Sequence, residues 1–242
     1  METDDLALEP LPPDSLGLLE GLTTTRSIRR YRDEPVPTDA LRAMLFAASR
    51  APSGSNRQPF RFVVLTNSAI ALEAKALIGV GARRAWAAKR AADGYDRGSG
   101  EIDDSPKTRM ARAMQSYVDE FERAPVLVLP CLVRYRDPTP TEGASVYPAC
   151  QNLLLAARAL GYGGVLTMWQ GLVDAELRAL LGVPDNVFVA ATVTIGKPAG
   201  HHGPVRRRPL AELVFADTWG ESAPWAVDPP GTTYTSAGPP RT

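Results

Sequence analysis

The sequence predicts one domain that interleaves helices and strands, of the α/β or α+β class. Three observations carry this expectation. Helix-type and strand-type apolar periods alternate from Leu16 to Ile195 with no clear separation. Two continuous apolar runs, residues 60–66 and 125–133, have the composition of strands buried on both faces. The length of 242 residues suits one large core or two small ones.

Each element has its own signal. Leu16, Leu19 and Leu22 recur at helical spacing and predict a first helix ending near Arg26. Leu41, Met44, Leu45 and Ala48 follow i, i+3, i+4, i+7, with Thr38 placed to cap. After the strand over 60–66, Ser68 caps a helix bearing Ile70, Leu72 and Leu77. Residues 81–107 are less regular and rich in Arg and Gly, with Trp86 and Tyr95 isolated among them. Met110 to Arg123 is helical, with Tyr117 and Phe121 as core positions, and 125–133 is the second strand. Val146, Cys150, Leu153, Leu154 and Ala157 form one face of a helix over 146–160, which Gly161 stops. A short strand over 165–169 follows. A helix marked by Leu177, Leu180 and Leu181 is closed by Gly182 and Pro184, and a last strand covers 187–195. Residues 1–14, acidic and Pro-rich, read as a flexible arm. Residues 220–242 form a Pro-, Gly-, Ser- and Thr-rich tail that cannot order itself alone, with Trp219 and Trp225 able to pin it.

Composition excludes several functions. Lys plus Arg and Asp plus Glu number 27 each, so the formal net charge is zero. A general nucleic-acid or anionic-membrane binder needs a basic excess. The 2 Cys rule out a disulfide framework and are too few for a Cys-based zinc site. Cys131 and Cys150 both sit in apolar patterns and read as buried thiols. The 2 His, His201 and His202, are adjacent and read as loop surface. They offer no separated pair for a metal, and no metal site is expected. No run approaches the ~20 apolar residues of a membrane span, and the N-terminus lacks a secretory signal, so a cytoplasmic location is expected.

Four segments hold residues with chemistry. Arg26 and Arg29, with Ser27 between them, would share a face of a helical turn and suit a phosphate or carboxylate. The plain alternative is a solvated face paired with Asp33 and Glu34. Ser53, Gly54, Ser55, Asn56 and Gln58 fill a compact turn with donors and acceptors able to match the edge of a planar heterocycle. An ordinary helix-to-strand turn would also explain them. Gly161, Gly163 and Gly164 let the backbone approach something closely, but they end a helix and open a strand, the reverse of a dinucleotide fingerprint. The run Arg206, Arg207, Arg208 precedes an apolar pattern and would complete an anion site opened by Arg26 and Arg29.

Together, RSIRRYRDEPVP, APSGSNRQPFRFVVL, RAPVLVLPCL, ALGYGGVLTMW, and IGKPAG followed by RRRPLAELV resemble the FMN-dependent nitroreductase family. The resemblance runs from about Leu16 to Trp219. It implies an α+β, three-layer fold over residues 15–219, with a central mixed sheet flanked by helices, in an intertwined homodimer. It implies FMN in the dimer interface. Arg26, Ser27 and Arg29 match the first cofactor motif, with Arg206 and Arg207 on the phosphate, Arg208 less securely, and Arg29 reaching the pyrimidine edge. Thr25 stands where many members carry a basic residue. Pro52, Ser53, Gly54, Asn56 and Gln58 match a loop that arrives from the partner subunit. Leu166, Thr167 and Met168 match the strand beside flavin N5, with a backbone N–H or the Thr167 hydroxyl as donor. No protein nucleophile is required.

The implied activity is reduction of nitroaromatic, quinone or similar small oxidants by NADH or NADPH, in ping-pong order through flavin N5. Residues 81–107 correspond to a lid, where Trp86 and Tyr95 would stack on a substrate, or Trp86 would simply anchor a helix. Arg83, Arg84 and Lys89 are candidates for the 2′-phosphate of NADPH by composition alone. The tail corresponds to an extension that embraces the partner. Alternatives are a reductive dehalogenase, with Glu101 and Lys107 clamping an amino acid, a biosynthetic dehydrogenase of the same fold, or a flavin-storage protein without turnover.

Overall fold

The computed structural model of the protein describes residues 10–13, 15–95 and 106–235. Most of the expected arm, residues 96–105 with Glu101, the Lys107 side chain and the last seven residues of the tail lie outside the described set. The elements are α1 (Leu18–Thr24), α2 (Thr38–Ser49), β1 (Phe60–Leu65), α3 (Ala69–Ala92) and α4 (Pro106–Asp119). Then come β2 (Val126–Val133), α5 (Tyr147–Ala159), β3 (Gly163–Thr167), α6 (Asp174–Leu181), β4 (Val187–Val189) and β5 (Thr192–Gly196).

The strands form one sheet in the order β1-β2-β5-β3, with β4 also paired to β2. β2 explains why its sequence is continuously apolar. Val126 and Val128 pack toward α2 and α5, with Met44, Ala48, Leu153 and Ala157. Leu127 and Leu129 point the other way, to Ile78 and Ala82 of α3, Val118 of α4 and Leu177 of α6. Alternation puts apolar side chains on both faces, and each fully buried one contributes about 1.5–3 kcal/mol. Helices, sheet and helices make three layers, and the α+β class stands. Neighbouring strands are antiparallel throughout, where a mixed sheet was expected. β2 and β3 do run the same way, joined by α5, but β5 lies between them.

Several boundaries differ from expectation for identifiable reasons. The last strand is two pieces. From Cys131↔Val189 to Val128↔Val193, β2 advances 3 residues and its partner 4, which is a bulge. Pro130 sits opposite it with no N–H to give, while its carbonyl accepts from Ala190 N at 2.8 Å. α1 stops at Thr24 rather than near Arg26. The hydroxyls of Thr23, Thr24 and Thr25 all turn back to carbonyls one turn earlier, and Thr25 is extended. Pro37, not Thr38, occupies the cap position of α2. Ser68 caps α3 as expected, accepting from Ala71 N at 3.2 Å.

α3 continues to Ala92, so residues 81–92 are helix rather than irregular chain. Ile78, Ala82 and Trp86 bury one face at i, i+4, i+8. This Ala- and Arg-rich stretch has strong helix propensity and few large apolar residues to announce it. Gly161 and Gly182 close α5 and α6 with φ of 77° and 64°. Cys131 and Cys150 are buried, and burial pushes their thiols up to about 11 and about 12, so both are inert at neutral pH. In the tail, Trp219 and Trp225 are 86% and 71% exposed, so they do not pin it to this chain. Ala223 and Ala226 are buried instead, and Asp228 accepts from Leu210 N.

One buried charge has a measurable consequence. Lys75 of α3 is 3% exposed and donates to the carbonyls of Ala124 and Pro125 at 2.8 and 3.2 Å. Burial lowers its pKa from 10.5 to about 8. Above about pH 8 the folded state loses this proton while the unfolded chain keeps it, so stability rises with pH. The stability difference between wild type and Lys75→Met in urea is expected to shift by about 1 kcal/mol in favour of wild type from pH ~7.5 to ~9, while the two buried thiols, which ionise first in the unfolded chain, lower stability equally in both proteins.

Candidate active site

The first cluster follows from the early end of α1. Released from the helix, Arg26 to Arg32 runs extended along the ends of β3 and β5. Ile28 N donates to Gly164 O at 3.0 Å, and Arg32 N to Lys197 O at 2.8 Å. Ala199 N donates back to Arg30 O, and Gly203 N to Thr24 O. Arg26 and Arg29 therefore do not share a helical face as expected. Their side chains have different surroundings. Arg26 lies beside Gly203 and His202, whereas Arg29 lines a cavity of about 310 Å³ with Tyr31, Tyr117 and Arg123. Arg26 and Ser27 are exposed and Arg29 is half-buried. The buried Arg29 Nε has no hydrogen-bond partner among the described residues.

A buried chain of hydroxyls fixes this segment. Tyr31 donates to Ile28 O at 2.7 Å, so its oxygen accepts from Thr194 at 2.7 Å. Thr194 in turn accepts from Tyr117 at 2.8 Å. Burial pushes both phenols above their ordinary range, Tyr31 the further, so both stay neutral and the chain runs one way. No pattern in the sequence linked these residues, which come from three distant segments.

β3 lies at one edge of the sheet. Gly164 turns its carbonyl outward to Ile28, so by alternation Leu166 also presents its N–H and C=O to the open edge. Thr167 points to the α3/α4 side, opposite Thr192. Its buried Oγ1 has no hydrogen-bond partner among the described residues. Thr192 donates instead to Gln170. Met168 is exposed.

The second cluster is elsewhere. Pro52, Gly54, Asn56 and Gln58 are exposed and Ser53 half-buried, in the turn that enters β1. Ser55, Asn56 and Gln58 have φ of 53°, 52° and 48°, a left-handed conformation costing side chains about 1–2 kcal/mol each. Hydrogen bonds hold it: Gln58 N to Ser53 Oγ at 2.9 Å, and Gln58 Nε2 to both Asn56 oxygens at 3.2 Å. Strain of this kind collects where the backbone must present particular groups. Yet β1 is the other edge of the sheet. Three strand spacings, about 14 Å, lie between β1 and β3. One chain does not bring the two clusters together.

The remaining candidates divide. Arg206 and Arg207 are exposed and have no carboxylate partner among the described residues, while Arg208 pairs with Glu212 at 3.7 Å. Trp86 is a core residue, 4% exposed, and its indole donates to Gln115. It anchors α3 and offers no face for stacking. Tyr95 packs on it, with ring centres 5.4 Å apart. Arg83 is engaged by Glu122 and Lys89 by Asp93, so neither is a free phosphate contact, whereas Arg84 is exposed. Tyr117 and Phe121 are core as expected. His201 is exposed, but His202 is half-buried and bonded to Arg26, contrary to its reading as loop surface. Among the described residues no acidic or His/Cys group is arranged to hold a metal, and no helix is long and apolar enough to cross a membrane.

The chain is similar to known proteins over most of its length. The family model for the nitroreductase family matches residues 22–197. An NADH dehydrogenase of Thermus thermophilus is 32% identical over 204 residues, covering 78% of this chain and 91% of that one. A 5,6-dimethylbenzimidazole synthase of Rhodospirillum rubrum is 28% identical over 78% of this chain and 82% of its own. Among solved structures, a nitroreductase in complex with FMN from Desulfovibrio desulfuricans superposes with a TM-score of 0.59 at 27% identity, covering 85% of this chain and 99% of that one. The chain belongs to the nitroreductase family, and with it to the oxidoreductases.

Proposed function

We propose that this protein is an FMN-dependent oxidoreductase that takes electrons from NADH or NADPH and reduces small organic acceptors such as nitroaromatics or quinones. The observation that carries the reading is a set of donors, on β3 and on the segments around Arg26 and Arg206, that lack partners among the described residues. Among the described residues, buried Arg29 Nε and Thr167 Oγ1 lack hydrogen-bond partners, the Leu166 N–H faces the open edge, and no carboxylate pairs with Arg26, Arg206 or Arg207. That set fits an elongated ligand with an anionic end and a heterocyclic end. Arg26, Ser27, Arg206 and Arg207 would hold the FMN phosphate, and Arg29 the pyrimidine edge. Thr167 Oγ1 or Leu166 N–H would face the reactive ring nitrogen. When bound, FMN supplies a centre that accepts a hydride from the nicotinamide and passes electrons on.

The chain's own part is to bind, orient and exclude water. The loop Pro52–Gln58, at the far edge, would complete the site of a second copy, so the functional unit is a homodimer. The Thermus relative's name supports the donor, and the FMN-bound neighbour supports the cofactor. A second reading, biosynthetic chemistry on the same cofactor, draws on the Rhodospirillum relative.

The test is the visible spectrum of purified protein, the released cofactor, and anaerobic addition of NADH and then NADPH. Yellow protein that releases FMN and bleaches supports the reading, and parallel double-reciprocal lines support the ping-pong order. Yellow protein indifferent to both donors favours the biosynthetic or storage reading. Colourless protein that takes up no FMN overturns the assignment.

A further inference from the structure

Five hydrogen bonds tie the segment Thr24–Arg32 to β3 and to the chain after β5. Four are backbone to backbone: Ile28 N to Gly164 O, Arg32 N to Lys197 O, Ala199 N to Arg30 O, and Gly203 N to Thr24 O. The fifth passes through the only titratable side chain in the set. Arg26 N donates to His202 Nδ1 at 3.3 Å, and His202 Nε2 lies 3.2 Å from Tyr162 O. A carbonyl only accepts, so Nε2 carries the proton and Nδ1 offers its lone pair to Arg26. The ring has one productive state, neutral with the proton on Nε2. It is held against the Gly163 backbone so closely that a Cβ there would lie 2.9 Å from Nε2.

We propose that His202 is a proton-operated latch that holds Arg26 and Ser27 in place at the anion-binding end of the site. A proton on Nδ1 would face the Arg26 N–H, donor against donor, and that bond would be lost. Among the described residues around the ring, only the Tyr162 carbonyl favours the added charge. From α5 it meets Arg158, whose buried Nε has no hydrogen-bond partner among the described residues and whose terminal nitrogen reaches Thr24 Oγ1 at 3.5 Å. From the Arg26 segment it meets Arg26 itself. From the turn before β3 it meets the Tyr162 carbonyl, and Lys197 at the end of β5 lies over the Tyr162 ring. Asp39 and Glu34 act on the Tyr162 phenol. Burial first, and then these two cationic neighbours, hold the His202 pKa below its ordinary value, against the backbone hydrogen bond that raises it. The latch is therefore closed at neutral pH and opens as pH falls below about 6.5, with the loss completed through the lower folded-state pKa. His202 is a positioning residue: it acts on the anion through Arg26.

The role of the Arg26 end in holding FMN rests on the function proposed above, so the test has two independent readouts. The first needs no cofactor. Amide hydrogen exchange of the peptide containing Arg26, corrected for intrinsic rates, is followed from pH ~7.5 to ~5 in the full protein. Protection at Arg26 is expected to fall on acidification in wild type. It is expected to stay level in His202→Asn, whose side-chain oxygen can replace Nδ1 as acceptor without titrating. The second is the FMN dissociation constant over the same range. The ratio of wild type to His202→Asn is expected to rise about fivefold on acidification, the value of one hydrogen bond. Taking the ratio cancels titration of the cofactor's own phosphate. Protection that does not change with pH in wild type, or that changes equally in both proteins, overturns the latch. Loss of protection in a protein that binds no FMN at any pH leaves the latch standing and overturns the cofactor reading.

Discussion

Gly164→Ala is expected to destabilise the protein by about 3 kcal/mol or more and to abolish the proposed FMN binding in what remains folded. A Cβ at this position would lie 2.3 Å from the carbonyl oxygen of Thr194 and 3.0 Å from Leu154 Cδ2. The first obstacle is backbone in the neighbouring strand β5, with no rotamer to change. Relief requires β3 and β5 to separate, and their ladder runs from Gly163↔Gly196 to Thr167↔Thr192. The damage reaches the site through two contacts. Gly164 O receives Ile28 N, which positions Arg29, and Thr194 Oγ1 anchors the phenols of Tyr31 and Tyr117. Thermal unfolding should fall by about 6–12 °C for a chain of this size. Gly171→Ala is the control, because a Cβ there meets nothing within 4 Å and should leave stability unchanged. Equal behaviour of the two variants would show that β3 can move away from β5 at little cost.

How much of this was legible beforehand depended on the range of the interaction. Local features read well. The alternating faces of β2, the Ser68 cap and the glycine stops at Gly161 and Gly182 are set within a few residues. Amphipathic period failed where composition hid it. The second half of α3 buries Ala82 and Trp86 but otherwise shows Arg, Lys and Ala, so it looked irregular. Isolated in sequence, Trp86 fits a substrate-stacking or a helix-anchoring role equally; its neighbours in space, Gln115 and Tyr95, decide for the anchor. Segment identity in the site was legible from motifs, but geometry was not. Arg26 and Arg29 diverge because Thr23, Thr24 and Thr25 end α1 early, a local competition that the leucine spacing did not register. His202 and the chain Tyr117–Thr194–Tyr31 were invisible because each joins segments that only the sheet order brings together.

That sheet order also decides the largest effect expected here, which is gain of function on mixing two dead variants. Arg26→Ala with Arg29→Ala removes the cluster at the β3 edge, and Asn56→Ala with Gln58→Ala removes the loop at β1. In the proposed homodimer each double variant alone should bind no FMN, because every site lacks one half. Mixing the unfolded chains in equal amounts and refolding makes half the dimers mixed. In a mixed dimer one site inherits both lesions and the other inherits neither, so about a quarter of all sites should bind FMN normally. Selection with two affinity tags should raise this to about half. Both clusters are exposed or half-buried, so neither pair of substitutions should prevent folding. A site built within one chain predicts no recovery at any mixing ratio. The separation of β1 from β3 by two intervening strands is the reason to expect otherwise. Recovery at normal affinity in a quarter of sites would tie the strained turn of one copy to the unpartnered donors of the other.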